Sequence, residues 1–176
     1  MGNNQSSFEI RNCTAADTGT ILALYEHARI LQREKKMVVW PVFEKELVEI
    51  EICENRQWKL VKEGNIACNW AITFIDKQIW EEKDKGDAIY IHRIATHPDF
   101  RGNRFIDNIV AWAKPYALQK GKSFVRLDTL GNNTSLIRHY TSAGFRFLGI
   151  SRLADTTGLP GHYQLEPDCC RFELPL

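Results

Sequence analysis

The 176-residue chain lacks a surplus of charge of either sign, with 23 Lys plus Arg against 22 Asp plus Glu. Nothing in that balance drives binding to a phosphate backbone, which argues against nucleic acid as a partner. Long apolar runs are also missing: the longest, such as Ile66 to Ile75, are about half the roughly 20 residues of a membrane-spanning helix and carry polar interruptions, so no membrane is expected as a partner. There is no C-x-x-C pair. Cys13, Cys53, Cys68, Cys169 and Cys170 are an odd, widely spaced set without histidine at ligand spacing, which reads as free thiols in a reducing compartment and no structural zinc. Cys169 and Cys170 are adjacent, and adjacent residues of a strand point to opposite faces. Residues Met1 to Ser6 lack the apolar core of a secretory signal. They match the loose pattern M-G-x-x-x-S/T of myristoylation, but without a neighbouring basic cluster residues 1–7 read as a disordered leader, and the expected location is the cytoplasm. The phosphate-binding signature G-x-x-x-x-G-K-S/T is absent, and so are internal repeats and low-complexity segments.

What is present is a hydrophobic content of 44%, enough for one substantial core, so residues 8–176 are expected to form a single domain. Phe8 and Ile10 suggest a first strand, and Thr14 a helix N-cap. Ile21, Leu22, Leu24, Tyr25, Ala28 and Leu31 then fall at spacings of three and four, the stripe of an amphipathic helix. Trp40-Pro41 opens a second helix, with Pro41 in its first turn and Phe43, Leu47 and Ile50 at helical spacing. The period changes to two in Trp58 to Val61 and Ile66 to Ile75, joined by the turn Glu63-Gly64-Asn65. Ala88 to Thr96 follows as a fourth strand, and the charged stretch from Asp76 to Asp87 reads as the exposed tip of a second hairpin, completing an antiparallel first half. A helix with Phe105, Ile106, Ile109, Val110 and Ala113 on one side comes next, with a kink or early end expected near Lys114 because Pro115 removes a hydrogen bond. Val125 to Leu127 is a fifth strand. A short helix from Thr134 to Ala143 and a strand from Phe145 to Ile150 follow, a succession that favours parallel pairing, and Cys170 to Leu174 is a last strand.

The segment His97-Pro98-Asp99-Phe100-Arg101-Gly102-Asn103-Arg104 joins a strand to a helix N-terminus, where backbone N–H groups and the helix dipole can hold a phosphate. Taken with its surroundings it resembles the GNAT superfamily of N-acetyltransferases. Ile94-Ala95-Thr96-His97-Pro98-x-x-Arg101-Gly102 is similar to the family's fourth strand and pyrophosphate loop. Asn133 and Tyr140-x-x-x-Gly144-Phe145 are similar to its later elements. The resemblance covers about Phe8 to Leu174. It implies an α/β fold (α+β by some schemes) with a GNAT-like mixed sheet of about seven strands, antiparallel in its first half and flanked by helices.

The resemblance also implies acetyl-CoA as cosubstrate, with no metal. Ile94 and Thr96 would pair with the pantetheine arm, an N–H near Ala95 would stabilise the oxyanion, Arg101, Gly102, Asn103, Arg104, Phe105 and Ile106 would surround the pyrophosphate, and Asn133 would hydrogen-bond the pantetheine. The family's loop usually reads R/Q-x-x-G-x-G/A, whereas here both later small positions are filled by larger residues. Arg104 either adds a phosphate contact or stays solvated while Ile106 packs inward. Tyr140 matches the position from which a phenol protonates the departing thiolate. For the base, His92 is the nearest suitable group, with an intrinsic pKa of about 6.5; Asp128, Glu46 or a water chain are alternatives. Acceptor selection would fall to the segment from Met37 to Phe43 and the loop with His162-Tyr163, with Trp40, Trp70 and Tyr163 as pocket or core residues. The implied activity is transfer of acetyl to a primary amine of a small molecule or peptide by direct attack in a ternary complex, with a homodimer as the assembly the resemblance suggests. The competing reading is a catalytically silent CoA-binding sensor or interaction module.

Overall fold

The computed structural model describes residues 8–176, so the reading of residues 1–7 as a leader lies outside the described residues. Seven strands, β1 (Phe8–Asn12), β2 (Gln57–Lys62), β3 (Asn65–Thr73), β4 (Ala88–Thr96), β5 (Phe124–Leu130), β6 (Arg146–Arg152) and β7 (Asp168–Pro175), form one sheet in the order β1-β2-β3-β4-β5-β7-β6. They are connected by helices α1 (Thr18–Glu34), α2 (Lys45–Cys53), α3 (Lys77–Trp80), α4 (Phe105–Gln119), α5 (Thr134–Ser142) and α6 (Gly161–Leu165). The mixed α/β class and the seven strands are those expected. Contacts divide the chain into two compact units, the first made of residues up to 28, 42–71 and 93–103, the second of residues 29–41, 72–92 and 104–176. No helix among the described residues is long and apolar enough to cross a membrane.

In the first unit, Thr14 starts the helical region as its sequence suggests, donating its backbone N–H and its hydroxyl to Asp17 at 2.6 and 2.9 Å. β1 pairs antiparallel with β2 from Phe8↔Lys62 to Asn12↔Trp58, and β2 antiparallel with β3. Glu63 and Gly64 make the two-residue turn between Lys62 and Asn65, both with positive φ, at 53° and 78°. Such a turn matches the right-handed twist of its strands. The second helix departs from expectation. Pro41 lies outside it, α2 begins at Lys45, and its buried positions are Val48 and Glu51 rather than Leu47 and Ile50. Glu51 is 2% exposed because α2 turns this carboxylate, not an apolar stripe, toward a buried polar cluster.

In the second unit β4 runs parallel to β5 over Ala88–Ile91 against Phe124–Leu127. The strand after α5 was expected to pair in parallel with β5. Instead β7 lies between them, antiparallel to β5 and to β6, because the chain after β6 returns to fill that place. The stretch from Asp76 to Asp87 exposes most of its charged residues, as expected, but it is helical at Lys77–Trp80 and anchored rather than a free hairpin tip. Ile79 and Trp80 are buried with Ala88, Tyr90, Leu153 and Cys169, and the Arg126 guanidinium lies 4.9 Å from the Trp80 ring while donating to Lys83 O and Asp87. Two apolar side chains and one buried cation hold this charged segment down. α4 continues through Pro115 to Gln119 without the early end expected, its apolar face (Ile106, Ile109, Ala113, Ala117) remaining buried beyond the proline. Tertiary burial outweighs the loss of one helical hydrogen bond. All five cysteines are free.

Candidate functional site

Inside the first unit, the C-terminal part of β4 is bent by Arg93, a non-glycine residue at φ 51°. A left-handed residue within a strand costs free energy and persists only where its surroundings fix it. Here Arg93 donates to Glu51 and, at 3.4 Å, to the Tyr25 hydroxyl, with its guanidinium 5.3 Å from the Phe43 ring. Glu51 also accepts from Gln57 at 2.8 Å and from Arg56 at 3.3 Å. Burial disfavours the Arg93 cation, but Tyr25 and Glu51 more than offset it and its pKa lies above the ordinary arginine value. Beyond the bend Ala95 is buried, Thr96 donates to Cys68 Sγ at 3.6 Å, and His97 N–H donates to Ala67 O at 2.9 Å.

The loop after β4 is held by its own side chains. The His97 ring accepts from Asp99 N–H at 3.3 Å, Asn103 donates to Phe100 O at 2.8 Å and accepts from Lys62 at 3.2 Å, and Arg101 donates to His27 O at 3.3 Å. Gly102, at φ 85°, supplies the left-handed turn that a side chain would strain. The side chains of Arg101 and Asn103 thus shape the loop, and the Arg101 backbone N–H is itself donated to Pro98 O at 3.2 Å. In the second unit Arg104 caps α4 at φ 50°, and Phe105 and Ile106 bury their side chains at 7% and 3% exposure. Their first-turn N–H groups have no intrahelical acceptors. The Arg104 side chain is half exposed, and its guanidinium is paired. It pairs with Asp107 through two bonds of 2.9 and 3.1 Å and reaches Ser142 at 3.3 Å.

The remaining candidates also fall in the second unit. Asn133 caps α5, its side-chain oxygen accepting from Ser135 N–H at 3.0 Å and Leu136 N–H at 3.1 Å. Asn133→Ala is therefore expected to lower stability by about 1 kcal/mol in a urea titration, whereas Asn133→Asp retains the cap and most of the stability. Tyr140, on α5, packs its ring 5.2 Å from Phe172 and 6.1 Å from Phe145. Phe172 pairs across the sheet with Leu127, the residue before Asp128. Trp70 is wholly buried and is core, so it does not line an acceptor pocket. Trp40 is tied to α1, its N–H donating to Gln32 at 2.9 Å and its carbonyl accepting from Arg29 at 3.0 Å. Val38, from the same segment, lies 3.4 Å from where a Cβ of Gly131 would stand, close to the end of β5.

His92 and Asp128 are the first residues past the last β4–β5 rung, Ile91↔Leu127. His92 Nε2 lies 3.0 Å from Thr73 Oγ1 and 4.0 Å from Asp76 Oδ2. One ligand atom from each of Asp76, His92 and Asp128 can be chosen so that all lie within 4.8 Å of one another. Asp128 accepts from the Tyr163 hydroxyl at 2.9 Å and from Cys169 Sγ at 3.5 Å. Asp76 Oδ2 is buried with no hydrogen-bond partner. Burial, then the neighbouring Asp128 and Asp84 carboxylates, push the Asp76 carboxyl up to about 8. Burial also raises Asp128. The structure thus joins His92 to Asp128 and Tyr163, leaves Glu46 exposed on α2, and places Tyr140 in a separate aromatic cluster. Sequence reasoning missed Asp76. Its signal was the apolar pair Ile79-Trp80 within a charged run, which marks a segment that must be anchored.

The structure matches an acetyltransferase of the GNAT family from Listeria monocytogenes 4b F2365 with a TM-score of 0.78 at 20% identity, over 100% of this chain and 99% of that one. It matches the yncA protein of Salmonella typhimurium, solved with its cofactor acetyl-CoA, with a TM-score of 0.67 at 15% identity, over 96% and 94%. Among curated proteins, the uncharacterized N-acetyltransferase YesJ of Bacillus subtilis (strain 168) is 28% identical over 83 residues, 47% of this chain and 44% of that protein. The match therefore spans less than half of that relative. The sequence model of the Acetyltransferase (GNAT) family aligns with residues 24–145, from α1 through β4, the glycine turn and α5 to Phe145, and on that span the chain belongs to the family.

Proposed function

We propose that the protein is an N-acetyltransferase that moves acetyl from acetyl-CoA to a primary amine of a small molecule or peptide, by direct attack in a ternary complex. The observation that carries this reading is the position of His92 and Asp128 at the end of the β4–β5 ladder in a GNAT chain, where an acceptor nitrogen meets a proton-accepting group. The backbone of Ile94 and Thr96 pairs with pantetheine, and the Ala95 N–H faces the thioester oxygen. Amides from Gly102 to Ile106 cradle the pyrophosphate. The Asn133 side-chain nitrogen, which the cap does not use, serves the pantetheine arm.

His92 takes a proton from the acceptor ammonium, and the freed amine attacks the thioester carbon. A C–N bond forms and an oxyanion develops. As it collapses the C–S bond breaks, Tyr140 protonates the leaving sulfur, and the nitrogen's remaining surplus proton returns to the tyrosinate. His92 then loses its proton to solvent, which balances the reaction as amide, CoA thiol and one released proton.

Saturating acetyl-CoA is expected to raise the melting temperature by about 5–10 °C, the size that ligand at 100 times its Kd gives a domain of this length. Acetyl-pantetheine, which lacks the 3′,5′-ADP portion, should give a much smaller rise in the same melt. Equal shifts from the two would overturn the pyrophosphate assignment. The larger residues at Arg104 and Ile106 and the Arg104–Asp107 pair favour a second reading, a CoA-binding module without catalysis. A melting shift without CoA thiol release across an amine panel would select it.

A further inference from the structure

We propose that Asp76, Asp128 and His92 together form a receptor for the acceptor's ammonium group, so that the substrate class is an amine that arrives as a cation. This rests on the acetyltransferase reading, whose acceptor is already an ammonium, and adds to it a recognition residue, Asp76. Among the described residues no lysine or arginine forms an ion pair with Asp76 or Asp128. Two carboxyl groups therefore face one imidazole with no lysine or arginine paired to either, whereas the buried acid Glu51 has two arginines. Buried charge is ordinarily paired, and an orphaned carboxylate oxygen such as Asp76 Oδ2 carries a desolvation cost that a bound N–H donor would offset.

The spacing identifies the cation. Three acceptors each about 2.9 Å from one nitrogen, along tetrahedral N–H directions, stand about 4.7 Å apart. The three groups here lie within 4.8 Å of one another, and the His92 to Asp76 separation is 4.0 Å. A small divalent metal with bonds of about 2.1 Å would draw adjacent ligand atoms to about 3 Å. An –NH3⁺ group fits within that bound, and the 4.0 Å between His92 and Asp76 exceeds the spacing that a small divalent metal would impose on the pair. The groups facing it are also those that must handle protons. Thr73 contacts His92 from β3, Tyr163 from α6 and Cys169 from β7 contact Asp128, and the Asp84 carboxylate accepts from the Asp76 backbone N–H at 2.8 Å. Tyr163 and Cys169 have both pKa values raised by burial first and then by Asp128, so they remain neutral donors that hold Asp128 in place.

The probe is ethylammonium chloride, followed through the imidazole resonance of His92 in protein labelled in its histidine rings, with the peak assigned by its loss in His92→Gln. Ethylammonium should shift the peak saturably, whereas ethanol, which lacks charge, and tetramethylammonium, which lacks N–H, should not. Asp76→Asn should weaken the response about 10- to 100-fold, the usual value of a charged hydrogen bond. Asp128→Asn gives the same test if Asp76→Asn fails to fold. A saturable response that is equal in wild type and variant, or equal for ethanol, overturns the proposal. So does broadening by manganese chloride with ethylammonium inert, which would mark a metal site. Absence of any ethylammonium response while acetyl-CoA still raises the melting temperature removes the ammonium receptor and leaves the acetyltransferase reading intact. A response to ethylammonium in protein that ignores acetyl-CoA does the reverse.

Discussion

Tyr140→Phe is expected to slow single-turnover acetyl transfer by about 10²- to 10⁴-fold while leaving acetyl-CoA affinity and melting temperature close to wild type. The substitution keeps the ring that packs on Phe172 and Phe145 and removes only the hydroxyl. If that hydroxyl donates a proton to the leaving thiolate, its loss is felt in the transition state and not in ground-state binding. Steady-state turnover can conceal the effect when product release is slow, so the rate should be measured with enzyme in excess over acetyl-CoA. A Phe variant with wild-type single-turnover rates would remove Tyr140 from the chemistry and leave it as an aromatic packing residue.

Asp76→Asn is expected to make the folded protein more stable at alkaline pH, by a few kcal/mol, and a poorer catalyst. The sign follows from where the proton is bound. The unfolded Asp76 carboxyl loses its proton near the ordinary value of about 4, whereas in the folded chain burial and the nearby Asp128 and Asp84 carboxylates hold it up to about 8. Between those values the folded state binds more protons than the unfolded one, so the contribution of Asp76 to stability is full below about pH 4 and declines as pH rises toward 8. Asparagine has no such proton to lose. Urea titrations of wild type and variant should coincide most closely at low pH and diverge, in the variant's favour, toward pH 8. A variant that is less stable throughout would show that Asp76 serves the fold.

Much of this architecture was legible because it depends on short-range pattern. The β2–β3 turn follows from Glu63-Gly64, the α1 stripe from spacings of three and four, and the α5 cap from Asn133. β4 was read with the bounds it has, Ala88–Thr96. What was not legible depends on partners far along the chain. Glu51 replaces an apolar residue on the buried side of α2 because Arg93, Arg56 and Gln57 meet it there. β7 separates β5 from β6, which no local periodicity records. The site was divided in the same way. His92 and Asp128 were found from their chemistry and strand position, while Asp76 lay in a segment whose charge suggested solvent and whose anchoring by Ile79, Trp80 and Arg126 is tertiary.

The ion pair between Arg104 and Asp107 gives the larger loop residue a task that requires no contact with an anion. Asp107 is in the first turn of α4, where its carboxylate lends the helix dipole a negative counter-charge and occupies, electrically, the place a phosphate would want. Arg104 cancels that charge through two hydrogen bonds. Without the guanidinium, a diphosphate approaching the α4 N-terminus would meet the full field of Asp107 at short range. Because both side chains are about half exposed, that field would be damped by added salt over about 8–10 Å. Under the pyrophosphate assignment proposed above, Arg104 would act as a neutraliser, and its influence on anion binding would be greatest in dilute buffer and fade as ionic strength rises.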